Sequence, residues 1–168
     1  MQRRLLDQSP FNVVRLILGA DPTDTEWHAR AAETLARWIA DGVLVRDIRP
    51  VLYGYQQRYL DPEGCTRTRT GLIGRVRLSP YGGAIHRHEH TRIGPRVDRL
   101  RLTRAVRANL SPVFGLYRDP RAELSGLLVP PHDPLDPNLL FDVVDDEGVR
   151  QILWRICDLD TMTALTAG

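Results

Sequence analysis

The chain has 168 residues, 42% of them hydrophobic and 26% charged, with a formal net charge of +2. That is enough chain to bury a core within one domain. It contains no apolar run long enough to span a membrane or act as a signal peptide, and its two cysteines form no CxxC pair, so a single cytoplasmic domain over residues 1–168 is expected.

All 23 basic residues are arginine, as a GC-rich genome would give. Their placement is more informative. Residues 66–107 hold eleven arginines against Glu89 and Asp98, a local net of +9, and the remainder has a net of −7. Such polarity points to an anionic partner, or to arginines that pair with acids elsewhere in the fold.

Asn12–Leu18, NVVRLIL, is short and β-branched and predicts a strand. EWHARAAETLARWIADG follows, with apolar residues at Trp27, Ala31, Leu35, Trp38 and Ile39. This spacing predicts a helix over residues 25–41, stopped by Gly42, with both tryptophans as core anchors. Val51–Tyr59 and Thr70–Leu78 predict two strands joined through the turn DPEG. Gly54, Gly71 and Gly74 mark bulges, or places where backbone or ligand approaches closely. Pro95–Leu110 predicts a second helix with Pro95 in its first turn, and Val97, Leu100, Arg104 and Arg107 sharing one face. SPVFGLYRD predicts a returning strand, and Asp119–Leu128 a short helix. Leu139–Val144 and Val149–Ile156 flank DDEG as a hairpin, and DLDTMTALTAG ends the chain as a helix. Short turns between successive strands favour an α+β fold with a mixed or mainly antiparallel sheet and packed helices.

The densest chemistry lies in HRHEHT, His86–Thr91, followed by Arg92, Arg96, Arg99, Arg101, Arg104 and Arg107. If the segment is extended, His86, His88 and His90 share one face and could ligate zinc or iron. No fourth ligand is placed by the sequence, so no structural metal is expected. If it turns, His88, Glu89 and Thr91 converge on one ligand, with Glu89 as general base and His88 as proton carrier. Alternatively Glu89 pairs with an arginine and simply holds the loop. Arginine forks suit phosphate or carboxylate, so Thr91, Arg92, Arg96, Arg99 and Arg104 are the candidate binding residues for a phosphorylated small molecule or nucleotide. No aromatic residue lies between Tyr81 and Phe114, which argues against a single-stranded nucleic acid platform. A non-catalytic module for an anion, nucleic acid or partner chain remains the competing class.

FNVVRLILG, the helix leading to DGVL, VLYGYQQRY, GLIGRV, the HEHT loop and RLTRAVRANLSPVFGLYRD resemble, in order, blocks of the bacterial and archaeal family called domain of unknown function 1015. The resemblance runs from about Pro10 to Ala167. It implies a longer family domain, with a PYD-type turn upstream and a downstream DGHHR-type motif similar to that of ParB/sulfiredoxin-like proteins. That group includes free serine kinases. The resemblance therefore implies a phosphotransferase using nucleotide with magnesium. This chain would be an incomplete version, with a second chain supplying the DGHHR-type segment, or a degenerate fragment. An incomplete domain should expose an apolar patch or an unpaired strand edge.

Overall fold

The computed structural model describes residues 2–19, 24, 26–83, 85–87 and 92–167. The chain forms two compact units: Met1–Arg46 with Leu78–Phe114, and Asp47–Arg77 with Gly115–Gly168. The first is helical, with α1 (Gln2–Gln8), α2 (Val14–Ile17), α3 (Trp27–Ala40) and α4 (Ile93–Val106). The second holds β1 (Leu52–Leu60), β2 (Thr66–Ile73), a 3-10 turn (Ser125–Leu127), β3 (Leu139–Val144), β4 (Arg150–Ile156) and α5 (Leu159–Ala167). The fold class is α+β.

In the helical unit, α3 follows the predicted stripe. Ala31 and Trp38 are buried, although Ile39 at the end of the stripe is exposed. The helix stops as predicted, with Gly42 left-handed and its N–H donating to Ile39 O at 3.2 Å. Phe11 sets its edge against the Trp38 ring, with centroids 6.0 Å apart.

The four-stranded sheet has the order β2-β1-β4-β3, with every pairing antiparallel. Both predicted hairpins form, and their turns share one construction. Asp61 Oδ1 accepts the N–H groups of Glu63 and Cys65, as Asp145 Oδ1 accepts those of Glu147 and Val149. Gly64 and Gly148 close the turns at φ +80° and +78°, a region that disfavours residues with a Cβ. On one face, Ile152, Trp154 and Ile156 form a core with Leu128 and Leu165, joined by Leu52, Leu72 and Leu139. Alternation then puts Tyr53, Tyr55, Gln57 and Tyr59 of β1 on the opposite face.

The structure corrects several elements. Asn12–Leu18 is not a strand: Val14–Ile17 is one helical turn. The Asn12 side chain accepts the Val14 N–H at 3.1 Å and its carbonyl accepts the Arg15 N–H at 3.0 Å, so the backbone turns at once. β2 begins at Thr66, not Thr70, because the tight DPEG turn pairs Leu60 with Thr66 and the ladder ends at Tyr53–Ile73. SPVFGLYRD joins no sheet and runs exposed. Asp119–Leu128 holds only a 3-10 turn. There the Asp119 carboxylate accepts the N–H groups of Glu123 and Ser125, and Ala122 at φ +54° interrupts helical geometry. Gly54 and Gly71 sit in regular register rather than at bulges, and the sheet's irregularity lies between Leu139 and Phe141.

Gly54 is required by close approach. A Cβ there would fall 2.0 Å from Trp154 Cζ2, well inside contact distance. Gly54→Ala should therefore destabilise the sheet by about 1–3 kcal/mol, the usual cost of overpacking a filled core. Urea denaturation followed by Trp fluorescence measures this, and a midpoint equal to that of the parent would contradict it.

Candidate functional site

The arginine-rich helix α4 carries the candidate anion site. Arg92 is its extended N-cap residue and Pro95 lies in the first turn as predicted. The buried face is not the predicted one. Leu102 and Val106 are buried, with Asp98 half-buried one turn earlier, whereas Val97 and Leu100 are 39% and 47% exposed. Residues 98, 102 and 106 repeat at helical spacing, and Leu102 and Val106 pack with Ala31.

Asp98 is the one carboxylate of α4. Its Oδ1 lies 2.9 Å from His28 Nε2, and the His28 side chain is only 13% exposed. The Trp27 ring covers the imidazole, with centroids 4.0 Å apart. This contact ties α3 to α4 and occupies the one acid of α4. Arg92, Arg96, Arg99 and Arg104 are all exposed, and none makes an ion pair among the described residues. At about 100° per residue, Arg96 and Arg99 stand about 60° apart around the helix, while Arg104 stands about 140° from Arg99. Arg96 and Arg99 therefore form the closer group near the helix start, with Arg104 turned away.

Of the histidine segment, His86 and Arg87 are exposed, and the Arg87 guanidinium lies 4.3 Å from the centroid of the Tyr81 ring. His88, Glu89, His90 and Thr91, expected at the site from the sequence, lie outside the described residues. Among the described residues, no group of three or more His, Cys, Asp or Glu is placed to hold a metal ion.

Sequence reasoning missed a polar network on the tyrosine face of the sheet. Asp47 accepts from the Tyr53 hydroxyl and from Arg155 Nε, the latter at 2.7 Å. Gln151 Oε1 accepts from the Tyr55 hydroxyl and Gln57 Nε2, while its own amide donates to Asp145 at 2.6 Å. Gln57 Oε1 accepts from Arg69 Nε at 3.1 Å, and Arg69 lies over the Tyr59 ring. The alternating tyrosines of VLYGYQQRY were the available signal, but their partners come from distant strands. Arg67 is likewise bound, to Asp61 at 2.6 Å. These groups satisfy one another, which suits them to hold the sheet rather than a ligand.

A pocket of about 240 Å³ opens beside the proline loop, lined by Pro130, Pro131, His132, Asp142 and Arg150 among others. Arg150 grips Asp142 with two hydrogen bonds of 2.7 and 2.5 Å, so its charged wall is internally neutralised. None of the candidate arginines lines it.

A family model described as "Protein of unknown function (DUF1015)" matches residues 1–168. The chain belongs to that family. The match agrees with the resemblance carried by the sequence blocks and covers the whole chain. No curated protein and no solved structure matches it. No helix among the described residues is long and apolar enough to cross a membrane.

The Asp47 network gives a pH dependence with a definite sign. The Tyr53 hydroxyl and then Arg155 hold the Asp47 carboxyl below its ordinary value. Asp61, Asp119, Asp142, Asp145 and Asp158 shift the same way. A depressed folded pKa gives stability that is present above the unfolded value, near pH 4, and lost as pH falls through the folded value. Asp47→Asn should lower the urea midpoint at pH 7, and the midpoint should fall less between pH 5 and pH 3 than in the parent. Parallel acid limbs for the two proteins would refute this.

Proposed function

We propose that the chain binds a phosphorylated small molecule or a nucleotide at the N-terminal half of α4, beside the His86–Thr91 segment. The observation that carries this reading is the spent acid. Asp98 is engaged by His28, which leaves Arg92, Arg96 and Arg99 exposed with no ion pair among the described residues. Guanidinium forks on one helix end suit the several oxygens of a phosphoryl group. By contrast, Arg67 and Arg155 on the sheet already bind carboxylates.

Within this reading Arg92, Arg96 and Arg99 neutralise the phosphate, Thr91 adds a hydroxyl donor, and Arg104 contributes at longer range. Glu89 takes the proton from a substrate hydroxyl as its oxygen bonds to the terminal phosphorus of the nucleotide, the bridging P–O bond breaks and the nucleoside diphosphate leaves, and His88 carries the proton to solvent, a phosphoryl transfer. The proton-transfer roles rest on residue chemistry in the sequence, and the binding role rests on the exposed helix.

Calorimetric titration with inorganic phosphate, AMP and ATP at low salt tests the proposal. Saturable binding should weaken with added salt, because accessible charges are screened. Arg96→Ala should weaken it by about tenfold or more, the range for one charge-assisted hydrogen bond, with circular dichroism unchanged. Arg121→Ala, on the sheet unit, should leave it unaltered. Glu89→Gln should spare binding and abolish turnover of nucleotide. Absence of saturable binding, or equal affinity in the Arg96→Ala protein, would remove the case for this site.

A further inference from the structure

The residues that line the pocket beside the proline loop all belong to the sheet unit. One wall is the core face of the sheet. Gln56, Ile152 and Asp142 stand in one row across β1, β4 and β3, and Arg58 faces Arg150 in the next row. The other wall is the loop after buried Leu128, where Pro130, Pro131 and Pro134 line the space. Proline fixes φ, so this wall is shaped before a ligand arrives. Further along the loop, Asp133 Oδ1 accepts the Leu135 N–H at 2.8 Å and Asp136 Oδ1 accepts the Asn138 N–H at 2.7 Å. Asn138 O accepts the Arg155 N–H of β4 at 2.8 Å, which fastens the loop to the sheet.

The charges on this face do not balance. Arg150 uses Nε and Nη2 on Asp142, which leaves the N–H groups of Nη1 for another acceptor and holds the guanidinium in one plane. Arg58 stands directly opposite Arg150, where facing side chains start about 5 Å apart and like charges repel. Arg58 is exposed and makes no ion pair among the described residues. Two guanidinium groups therefore share the one carboxylate of Asp142. The Gln56 amide donates to Thr70 Oγ1 at 3.0 Å and keeps a second N–H. Leu139, Ile152 and the prolines make the rest of the lining largely apolar.

We infer that this pocket binds a small monocarboxylate with a branched apolar body. The carboxylate lies between Arg58 and Arg150 and accepts the second N–H of Gln56, while the body packs against Leu139, Ile152 and the prolines. One unbalanced cation matches one carboxylate better than a doubly charged phosphate, and the apolar walls favour carbon over a third oxygen. A volume of about 240 Å³ holds about eight water-sized groups of roughly 30 Å³, which suits an acid of about five carbons. The site is separate from the arginines of α4, none of which lines it.

Titration of the full-length ¹⁵N-labelled chain with isovalerate, followed by amide chemical shifts to about 50 mM, tests this in the millimolar range. Saturable shifts are expected at Gln56, Asp142 and Ile152, with a midpoint below about 10 mM. Isovaleramide has the same shape without the charge and should bind the parent protein about tenfold or more weakly. Isovalerate should bind the Arg58→Gln protein weaker by a similar factor, with amide shifts away from the pocket unchanged. Should that variant fail to fold, the comparison of acid with amide on the parent protein still decides. Arg96→Ala should leave isovalerate binding unaltered, and inorganic phosphate should shift α4 rather than the pocket, so failure at one site is read separately from failure at the other. No saturation by about 50 mM, or saturable shifts confined to α4, overturns the proposal. So does isovaleramide binding as tightly as isovalerate, or equal affinity in folded Arg58→Gln protein.

Discussion

The contact of Trp154 with Gly54 holds the sheet unit together. Each hairpin is local, closed by its own Asp-to-Gly turn, and a lone hairpin is marginal in water. The four-stranded sheet exists because β1 and β4, far apart in sequence, pair along seven residues from Leu52–Ile156 to Arg58–Arg150. Closing that separation costs chain entropy, which must be offset at the junction. Trp154 offsets it by covering the one position of β1 that has no side chain, with Ile152 and Ile156 on either side. The polar network on the reverse face depends on the same register. Tyr55 and Gln57 meet Gln151, and Arg155 meets Asp47 beside Tyr53, only when β1 and β4 are aligned in this way.

The helical unit is closed by an equally distant pair. α3 and α4 are separated in sequence by the whole β1–β2 hairpin, and they join through Ala31, Leu102 and Val106. His28 and Asp98 add a directed bond to this apolar contact. That bond has a consequence for charge. Asp98 is half exposed but bonded to His28, and no arginine of α4 makes an ion pair with it among the described residues.

The elements legible in the sequence are those whose signal is local. α3 shows helical spacing and a glycine stop, both hairpins show their turns, and α4 shows its proline start. The misread elements have composition without local determination. Val14 and Leu16 are both buried, an alternation that mimics a strand, but Asn12 turns the backbone first. SPVFGLYRD has strand composition, yet a strand requires a ladder, and the segment enters none among the described residues. The expected face of α4 follows Val97 and Leu100, whereas the buried one follows Leu102 and Val106, with Asp98 bonded to His28 one turn earlier. For the site, the exposed arginines were legible because the segment holds too few acids to pair them. The tyrosine network was not, because its partners are set by strand register.

The strong charge polarity of the sequence divides once the chain folds. Arg67, Arg69, Arg75 and Arg77 belong to the sheet unit, where Arg67 binds Asp61 and Arg69 binds Gln57. The arginines from Arg87 to Arg107 belong to the helical unit. On α4, Arg96 and Arg99, and Arg101 and Arg104, are three residues apart, where side chains are neighbours and like charges repel, at a cost of about 0.2–0.5 kcal/mol per pair. The apolar packing of α4 does not use these side chains, since Leu102 and Val106 pack with Ala31 and Asp98 bonds to His28. Alanine, a better helix former, would fill their exposed positions without repulsion. An anion bound among them would remove the repulsion and favour the folded helix, because a ligand of the folded state alone stabilises it. The helix is thus held by one face and left charged on the other, an arrangement whose cost a bound anion would relieve.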